Sequence, residues 1–232
     1  MGWRTFYSLP SLISAGRNAV GSCSTVSFDL FDTLLIRRTH NPDLVKPQVA
    51  RFIAAKAQER GIRLSWEKVQ KKRDAIENEQ RLETAKQFED HEACYPRFMS
   101  QLLREIFSED DLELLKEVTS YEVTVENAML IPRGEFIHWL RELKNSGKRI
   151  LVMSDVYLPA SFLEKLIEYA GFLDCVDSVY SSADAFLAKA SGAAFVLLKE
   201  KFGLDYTQWL HIGDNPHSDG MRPAEKGITA LV

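Results

Sequence analysis

The stretch Ser27-Phe28-Asp29-Leu30-Phe31-Asp32-Thr33-Leu34-Leu35 is an apolar run that carries two carboxylates and a hydroxyl in its middle. The β-prone segment from Thr25 to Leu30 predicts a strand, and this strand would deliver Asp29 to the point where it must end. In open α/β sheets, ligands bind at the carboxyl edge of the strands. Asp29 is therefore the first candidate for a catalytic residue.

Downstream of Pro132, apolar strand-like segments alternate with amphipathic helical segments. The predicted strands are Lys148 to Met153, Val176 to Ser181, Trp209 to Gly213 and Ile228 to Val232. The predicted helices between them are Arg133 to Asn145, Ser161 to Ala170 and Ala190 to Phe202. Such alternation is typical of right-handed crossovers between parallel strands, so we predict an α/β fold with a doubly wound parallel sheet.

The rest of the chain divides by composition. Residues 1–24 mix Ser, Gly and Pro with a short helix-compatible piece, and we interpret them as a lead-in or linker. Residues 41–126 are charged and helix-prone without a convincing strand, so we predict an inserted all-helical subdomain there. The α/β core would then comprise residues 25–40 and 127–232.

Length and composition exclude several classes of protein. The chain has 232 residues with 45% hydrophobic residues, which suits one α/β domain with an insertion or two small domains. Its net charge of -4 is spread along the chain and argues against a nucleic-acid partner. The cysteines Cys23, Cys94 and Cys175 lack metal-site or disulfide spacing, which predicts reduced thiols in a cytoplasmic protein. No apolar run approaches the roughly 20 residues of a membrane span.

Polar residues follow four of the predicted strands, and a parallel sheet places all four ends on one edge. The residues are Asp29, Ser154, Lys189, Asp214 and Asp219. An ionised carboxylate needs no base to attack phosphorus, and a hydroxyl, an ammonium and a hard cation suit the charged phosphate oxygens. Magnesium prefers oxygen ligands, which Asp29 and Asp214 can provide. This pattern predicts phosphoryl transfer through an aspartyl-phosphate with Mg²⁺ as cofactor.

Four ordered motifs resemble those of the haloacid dehalogenase-like (HAD) superfamily. They are Phe28-Asp29-x-x-x-Thr33-Leu34, Met153-Ser154-Asp155, Lys189-x-Ser191-Gly192 and Gly213-Asp214-x-x-x-x-Asp219. The resemblance implies a Rossmann-like core and a C1-type cap in the helical insertion. It implies that Asp29 is the nucleophile, that Ser154 and Lys189 bind phosphate, and that the backbone carbonyl of Phe31 contacts the metal. Asp214 resembles the metal ligand and Asp219 the acidic partner that supports the metal site.

One position departs from the phosphatases of that superfamily, which have an aspartate two residues after the nucleophile as general acid. Here that residue is Phe31, and Asp32 follows where a glycine is usual. Three interpretations stay open: Asp32 transfers the proton, the cap, solvent or substrate does so, or efficient catalysis has been lost. Dehalogenases of the superfamily also lack the second aspartate, but they typically lack the acidic metal site. Asp214 and Asp219 therefore favour a phosphatase over a 2-haloacid dehalogenase.

Longer phrases around the motifs resemble a bacterial branch of the superfamily associated with glycosyltransferases of capsule and surface-polysaccharide synthesis. This resemblance implies a sugar phosphate or a phosphosugar-bearing polysaccharide intermediate as substrate, for example after phosphoribosyl transfer. Glycosyltransferase modules of the same polypeptide would then be partners, and a catalytically inactive scaffold or binding module is the alternative. Further predicted substrate contacts are Thr33, Asp155 and Arg37, although a solvent-facing position near the hinge of the insertion is an equal alternative for Arg37.

Overall fold

The computed structural model describes residues 2–232 and contains one six-stranded sheet and one two-stranded ribbon. The strands are β1 (Trp3–Arg4), β2 (Thr25–Asp29), β3 (Leu35–Arg37), β4 (Leu130–Pro132), β5 (Arg149–Ser154), β6 (Ser178–Ser181), β7 (Trp209–Ile212) and β8 (Thr229–Leu231). The helices are α1 (Leu9–Ala19), α2 (Val45–Glu59), α3 (Trp66–Thr84), α4 (Tyr95–Phe107), α5 (Leu112–Ala128), α6 (Gly134–Asn145), α7 (Ala160–Tyr169), α8 (Ser182–Ala185), α9 (Ala193–Phe202) and α10 (Arg222–Glu225).

The large sheet has the strand order β1-β8-β7-β2-β5-β6, and every strand pair in it is parallel. Chain order runs outward from β2 through β5 to β6, and it then resumes on the other side of β2 with β7 and β8. The reversal creates a crevice at the carboxyl ends of β2 and β7, which is where α/β sheets of this kind bind ligands. The predicted α/β fold with a doubly wound parallel sheet is confirmed.

Alternating side chains give the sheet two apolar faces. Phe28, Val152 and Ile212 belong to one buried cluster, in which the ring of Phe28 meets that of Trp139 on α6 edge-on at 5.7 Å between ring centroids. The intervening residues of the strands, such as Met153, pack into a second cluster with α9. Because strand side chains alternate between faces, helices cover the sheet on both sides.

The structure differs from the sequence-based interpretation of residues 1–24. Residues 3–4 form β1, which pairs with β8 at the edge of the sheet. Helix α1 buries Leu12 and Ile13, and Gly16 lies against the indole of Trp139, where a Cβ atom would come within 2.3 Å of the ring. This part of the chain therefore packs on the core as a strand and a helix, although it was interpreted as a lead-in or linker.

The antiparallel ribbon of β3 and β4 holds together the two ends of the helical insertion. Between them lie α2, α3, α4 and α5, and the bounds 41–126 predicted for this subdomain stay a prediction. Helix α4 buries a continuous apolar face against its neighbours. No helix within residues 2–232 is both long enough and apolar enough to cross a membrane.

The insertion also buries one complete ion pair. The guanidinium of Arg73 on α3 donates two hydrogen bonds to the carboxylate of Glu122 on α5, at 2.6 and 3.1 Å, and both side chains are 0% exposed. The hydroxyl of Tyr157 lies 3.3 Å from the same carboxylate. One positive and one negative charge therefore balance each other inside the insertion, and a buried pair of this kind is costly to break.

Candidate active site

A cavity of about 350 Å³ opens at the carboxyl ends of β2, β5 and β7. All the predicted site residues except Thr33 line it, namely Asp29, Phe31, Asp32, Arg37, Ser154, Asp155, Lys189, Asp214 and Asp219. A larger groove of about 780 Å³ lies between α1 and α6, but it brings together none of these residues. The crevice predicted by the strand order is thus the place where the candidate residues meet.

Lys189 lies at the centre of this group. Its ammonium donates to Asp29 at 2.5 Å and to Asp219 at 2.6 Å, and all three side chains are almost fully buried. Hydrogen bonds between such ionised groups are stronger than those between neutral ones. Residues from β2, from the loop between α8 and α9 and from the turn after β7 are therefore joined in one buried network.

The burial of this network shifts the pKa of each member. Burial raises the pKa of Asp29 to about 7, with Lys189 opposing the shift and Asp219 adding to it. Burial would lower the pKa of Lys189, but the two carboxylates outweigh it and raise the pKa of the ammonium. Burial would raise the pKa of Asp219, yet Lys189 and His211 hold it well below its usual range. Lys189 therefore stays charged and Asp219 stays ionised.

A chain of buried hydrogen bonds, which the sequence did not predict, supports Asp219. The indole of Trp209 donates to the Ser27 hydroxyl at 2.7 Å, and that hydroxyl lies 2.6 Å from Nδ1 of His211. Nε2 of His211 lies 3.1 Å from Oδ1 of Asp219. Because this ionised oxygen can only accept, Nε2 carries the hydrogen and the Ser27 hydroxyl donates to Nδ1. Burial lowers the pKa of His211, so the imidazole acts as a neutral donor of fixed tautomer.

A wide π-helical turn over Pro216–Met221 brings Asp219 back to the end of β7. Asp219 lies so close to Gly213 that a Cβ atom there would come within 2.3 Å of the Asp219 carboxyl carbon. The backbone N–H of Asn215 donates to the other carboxylate oxygen at 3.1 Å. Glycine in the Gly213-Asp214 motif is therefore required by this close approach of side chain to backbone.

The three acidic residues of the site fit a metal ion. Carboxylate oxygens of Asp29, Asp214 and Asp219 lie within 4.8 Å of one another, with Asp214 exposed and the other two buried. Burial, with Asp219 adding to it, raises the pKa of Asp214, and only the Lys189 ammonium compensates for these carboxylates in the network. Hard oxygen donors with excess negative charge are the ligands that magnesium prefers, so these residues fit Mg²⁺.

Asp32 lies at the rim of the cavity in an uncommon backbone conformation. Its φ is 59°, in the left-handed region that favours glycine, and its carboxylate pairs with the Arg37 guanidinium at 2.6 Å. That guanidinium also lies over the ring of Phe31, 4.2 Å from its centroid. Arg133 donates to the Asp32 carbonyl at 3.1 Å. These contacts fix the turn, while proton transfer by Asp32 and substrate contact by Arg37 stay predictions.

The other predicted residues occupy distinct positions. Ser154 ends β5 and is 2% exposed at the cavity wall. The Asp155 carboxylate accepts hydrogen bonds from the backbone N–H groups of Lys189 and Ala190, which favours a positioning role, and direct substrate contact stays a prediction. Thr33 is buried beside the site, and its hydroxyl has no hydrogen-bond partner within residues 2–232.

Comparisons with known proteins agree with this architecture. A family model described as haloacid dehalogenase-like hydrolase matches residues 23–221. No curated protein matches the sequence. Among solved structures, the 2-haloacid dehalogenase from Pseudomonas syringae pv. Tomato DC3000 is 18% identical, with a TM-score of 0.61 over 90% of this chain and 85% of that one.

Two further structures show the same range of likeness. The L-2-haloacid dehalogenase from Xanthobacter autotrophicus with chloropropionic acid covalently bound is 18% identical, with a TM-score of 0.50 over 90% of this chain and 76% of that one. A predicted phosphoglycolate phosphatase from Haemophilus somnus 129pt is 16% identical, with a TM-score of 0.48 over 90% and 84% of the two chains. At these sequence identities the similarities show the fold alone, and the TM-score of the last structure is too low to support an argument.

Proposed function

This chain belongs to the haloacid dehalogenase-like hydrolase family, and from that premise we propose that it is a magnesium-dependent phosphatase that hydrolyses a phosphomonoester through an aspartyl-phosphate on Asp29. The observation that carries the proposal is the excess of negative charge at the cavity. Asp29, Asp214 and Asp219 converge within 4.8 Å, and Lys189 supplies one positive charge. Magnesium and a phosphate group together would complete such a site, because each balances part of the other's charge.

In the first step, a carboxylate oxygen of Asp29 attacks phosphorus while the bond from phosphorus to the leaving oxygen breaks. The Lys189 ammonium and the Ser154 hydroxyl donate to the phosphoryl oxygens, on which charge is spread in the transition state. Water then attacks the aspartyl-phosphate, which releases phosphate and returns the Asp29 carboxylate. Magnesium, held by Asp29, Asp214 and the Phe31 carbonyl with Asp219 in support, would supply the remaining positive charge.

The proton for the leaving oxygen is the open element of this mechanism. Asp32 lies on the cavity wall, and its side chain is 46% exposed while paired with Arg37. The three interpretations given above remain in competition: Asp32 as the acid, protonation by the insertion, solvent or substrate, or loss of efficient catalysis. A substrate group that displaces Arg37 would free Asp32 for the first of these.

For the substrate, we propose a sugar phosphate or a phosphosugar carried on a polysaccharide intermediate, with glycosyltransferase modules as partners. The sequence resemblance to the polysaccharide-associated branch supports this choice. We propose further that an extended leaving group passes between the core edge, where the cavity opens, and the insertion, which we assign as a C1-type cap.

The experiment is a screen of sugar phosphates for phosphate release, with magnesium and with EDTA, in which Asp29→Asn runs beside the parent protein. We expect release that needs the metal and that Asp29→Asn abolishes. An unchanged rate in that variant would overturn the proposal. Failure on every small compound would leave a carrier-linked phosphosugar as the substrate to test.

A second candidate function is hydrolysis of a 2-haloacid, which Phe31 favours because it stands where phosphatases of the family carry a second aspartate. Displacement of halide from carbon needs no magnesium, whereas this site gathers three carboxylates. Halide release from 2-chloropropionate in the presence of EDTA would establish this alternative.

A third, non-catalytic candidate is a scaffold module, for which magnesium with beryllofluoride is the test. Trapping of that phosphoryl mimic would contradict the scaffold.

A further inference from the structure

Hydrogen bonds to backbone groups hold the loop that carries Lys189 in place. The Asp155 carboxylate accepts the N–H of Lys189 at 2.9 Å and the N–H of Ala190 at 3.1 Å. Just before them, the Tyr180 hydroxyl donates to the carbonyl of Leu187. The position of the lysine along the cavity is thus set by contacts to its main chain as well as by its own ammonium.

A second carboxylate holds the same loop from outside the α/β core. Oδ2 of Asp90 accepts the N–H of Ala188 at 2.7 Å and the Ser191 hydroxyl at 2.7 Å. Asp90 is only 8% exposed and lies between α3 and α4 in residues 85–94, which we call the 85–94 segment. Three consecutive N–H groups, 188 to 190, are therefore held by two carboxylates, one from the core and one from the insertion.

Neighbouring contacts show that the 85–94 segment is docked on the core at more than one point. The ring of Phe88 packs on that of Phe186 with 5.5 Å between centroids. Phe186 has φ of 55°, a conformation that bulky residues rarely adopt, directly before the Lys189 loop. At the other end of the segment, the N–H of Tyr95 donates to the carbonyl of Tyr157 at 2.8 Å. The packing thus supports an otherwise unfavourable turn.

We propose that Asp90 is a positioning residue that acts from the helical insertion to hold the Lys189 ammonium between Asp29 and Asp219. The inference rests on the proposed function for its catalytic consequence, but its structural part stands on contacts alone. Lys189 reaches its partners at 2.5 and 2.6 Å, so a displacement of its backbone would lengthen or reorient both contacts. A misplacement of about 1 Å at such a site costs on the order of 100-fold in rate. The insertion and the catalytic lysine are thereby coupled.

The structural part is tested by hydrogen exchange of backbone N–H groups in the free protein. We expect Asp90→Ala to speed exchange at Ala188 by about 10-fold or more, because this N–H loses its acceptor. Asp90→Asn should stay near the parent, since both donors meet the same oxygen and an amide oxygen can replace it. The matched control is Glu89→Ala, which changes an exposed neighbouring side chain.

The catalytic part is tested with p-nitrophenyl phosphate and magnesium. We expect Asp90→Ala to lower kcat by about 10- to 100-fold while KM changes less, because a displaced Lys189 loses contacts to the transition state. The magnesium concentration for half-activation should stay within a few-fold, since Asp29 and Asp214 lie on other segments. Asp90→Asn should restore most of kcat. Should Asp90→Ala fail to fold, Ser191→Ala removes one of the two donors, and we expect a smaller shift of both readouts in the same direction.

The outcomes separate this proposal from the function on which it rests. Exchange at Ala188 in Asp90→Ala that is no faster than in Glu89→Ala would overturn the positioning role, whatever the activity of the parent protein. A parent protein that hydrolyses neither small phosphate esters nor a carrier-linked phosphosugar would overturn the proposed function, while faster exchange at Ala188 in Asp90→Ala would still support the positioning role. A parallel loss of kcat and magnesium affinity, without rescue by Asp90→Asn, would indicate general damage and contradict the proposal.

Discussion

Two clusters of buried charge lie in different parts of the molecule, one among the helices of the insertion and one at the carboxyl edge of the sheet. In the insertion, Arg73 and Glu122 pair with each other and are 0% exposed. At the sheet edge, Lys189 is shared by Asp29 and Asp219, and this group lines a cavity. The first cluster is balanced and closed, as expected of a structural pair. The second retains negative charge beside open space, which is the arrangement that a divalent cation completes, alone or together with a phosphate whose charge it balances.

The largest effect should come from removing the negative charge of Asp29. We expect Asp29→Asn to lower phosphatase activity by at least about 10⁴-fold, because the amide cannot act as the nucleophile. The free energy of unfolding should stay the same or rise, because Lys189 still pairs with Asp219 and the repulsion among the crowded carboxylates is reduced. Initial rates and urea unfolding measure the two quantities, with Glu79→Gln on the exposed face of α3 as control. If Asp29→Asn were strongly destabilised, the cluster at the sheet edge would also be structural, which would contradict the difference between the two clusters.

The opposite result is expected for the balanced cluster. Glu122→Gln should lower the free energy of unfolding by about 3–5 kcal/mol, because the Arg73 charge is left buried without a partner. The double variant Arg73→Met with Glu122→Leu should recover most of this loss. Urea unfolding of these proteins beside Glu113→Gln, which changes an exposed carboxylate on α5, gives the measurement. Equal stability of the single variant and its control would show that the pair is not structural.

A smaller effect should identify the acid of the mechanism. If Asp32 protonates the leaving group, Asp32→Asn should slow hydrolysis of a sugar phosphate by about 100-fold and change p-nitrophenyl phosphate hydrolysis little, because that aryl leaving group needs less proton transfer. Asp32→Gly should change the two rates in the same unequal way as Asp32→Asn, and it should also stabilise the turn at φ 59° by up to about 1 kcal/mol. Equal losses on both substrates would exclude Asp32 as the acid.

The smallest effect concerns pH and a single group of the insertion. Burial and Glu122 raise the pKa of Glu126 from 4.5 to about 7. Between these values the folded protein keeps a proton that the unfolded chain has released, so stability falls as the pH rises through this range. Glu126→Gln should therefore be more stable than the parent near pH 8 by about 1–3 kcal/mol, and the difference should shrink towards pH 5. A constant difference across this range would contradict a buried, protonated Glu126.

The sequence was informative where the signal is local. Apolar runs ended by polar residues located β2 and β7, and with them Asp29 and Asp214, because a parallel sheet collects strand ends on one edge. The helices of the insertion were visible for the same reason, since their apolar residues recur at helical spacing. Local periodicity, together with the resemblance of the ordered motifs to those of the HAD superfamily, was enough to predict most of the residues that line the cavity.

What escaped the sequence depends on contacts between distant segments. Strand β1 is two residues long, and only its pairing with β8 makes it a strand. Asp90 has no periodic or motif context, and its role is visible only where the 85–94 segment meets the Lys189 loop. His211 lies on a strand as any core residue would, and its tautomer follows from its contacts with Asp219 and with a serine on a different strand. Tertiary packing determines these contacts, and they cannot be predicted from a short stretch of sequence.

The two charge clusters also differ in how early each can assemble during folding. Arg73 and Glu122 lie 49 residues apart, inside one contiguous run of helices. Lys189 and Asp29 lie 160 residues apart, and the turn that supplies Asp219 comes later still. Because closing a longer loop costs more chain entropy and slows folding, the insertion can become ordered before Asp29 meets Lys189 and Asp219. During synthesis on the ribosome, the Arg73–Glu122 ion pair would therefore form first, and the contacts of Lys189 with Asp29 and Asp219 would form last.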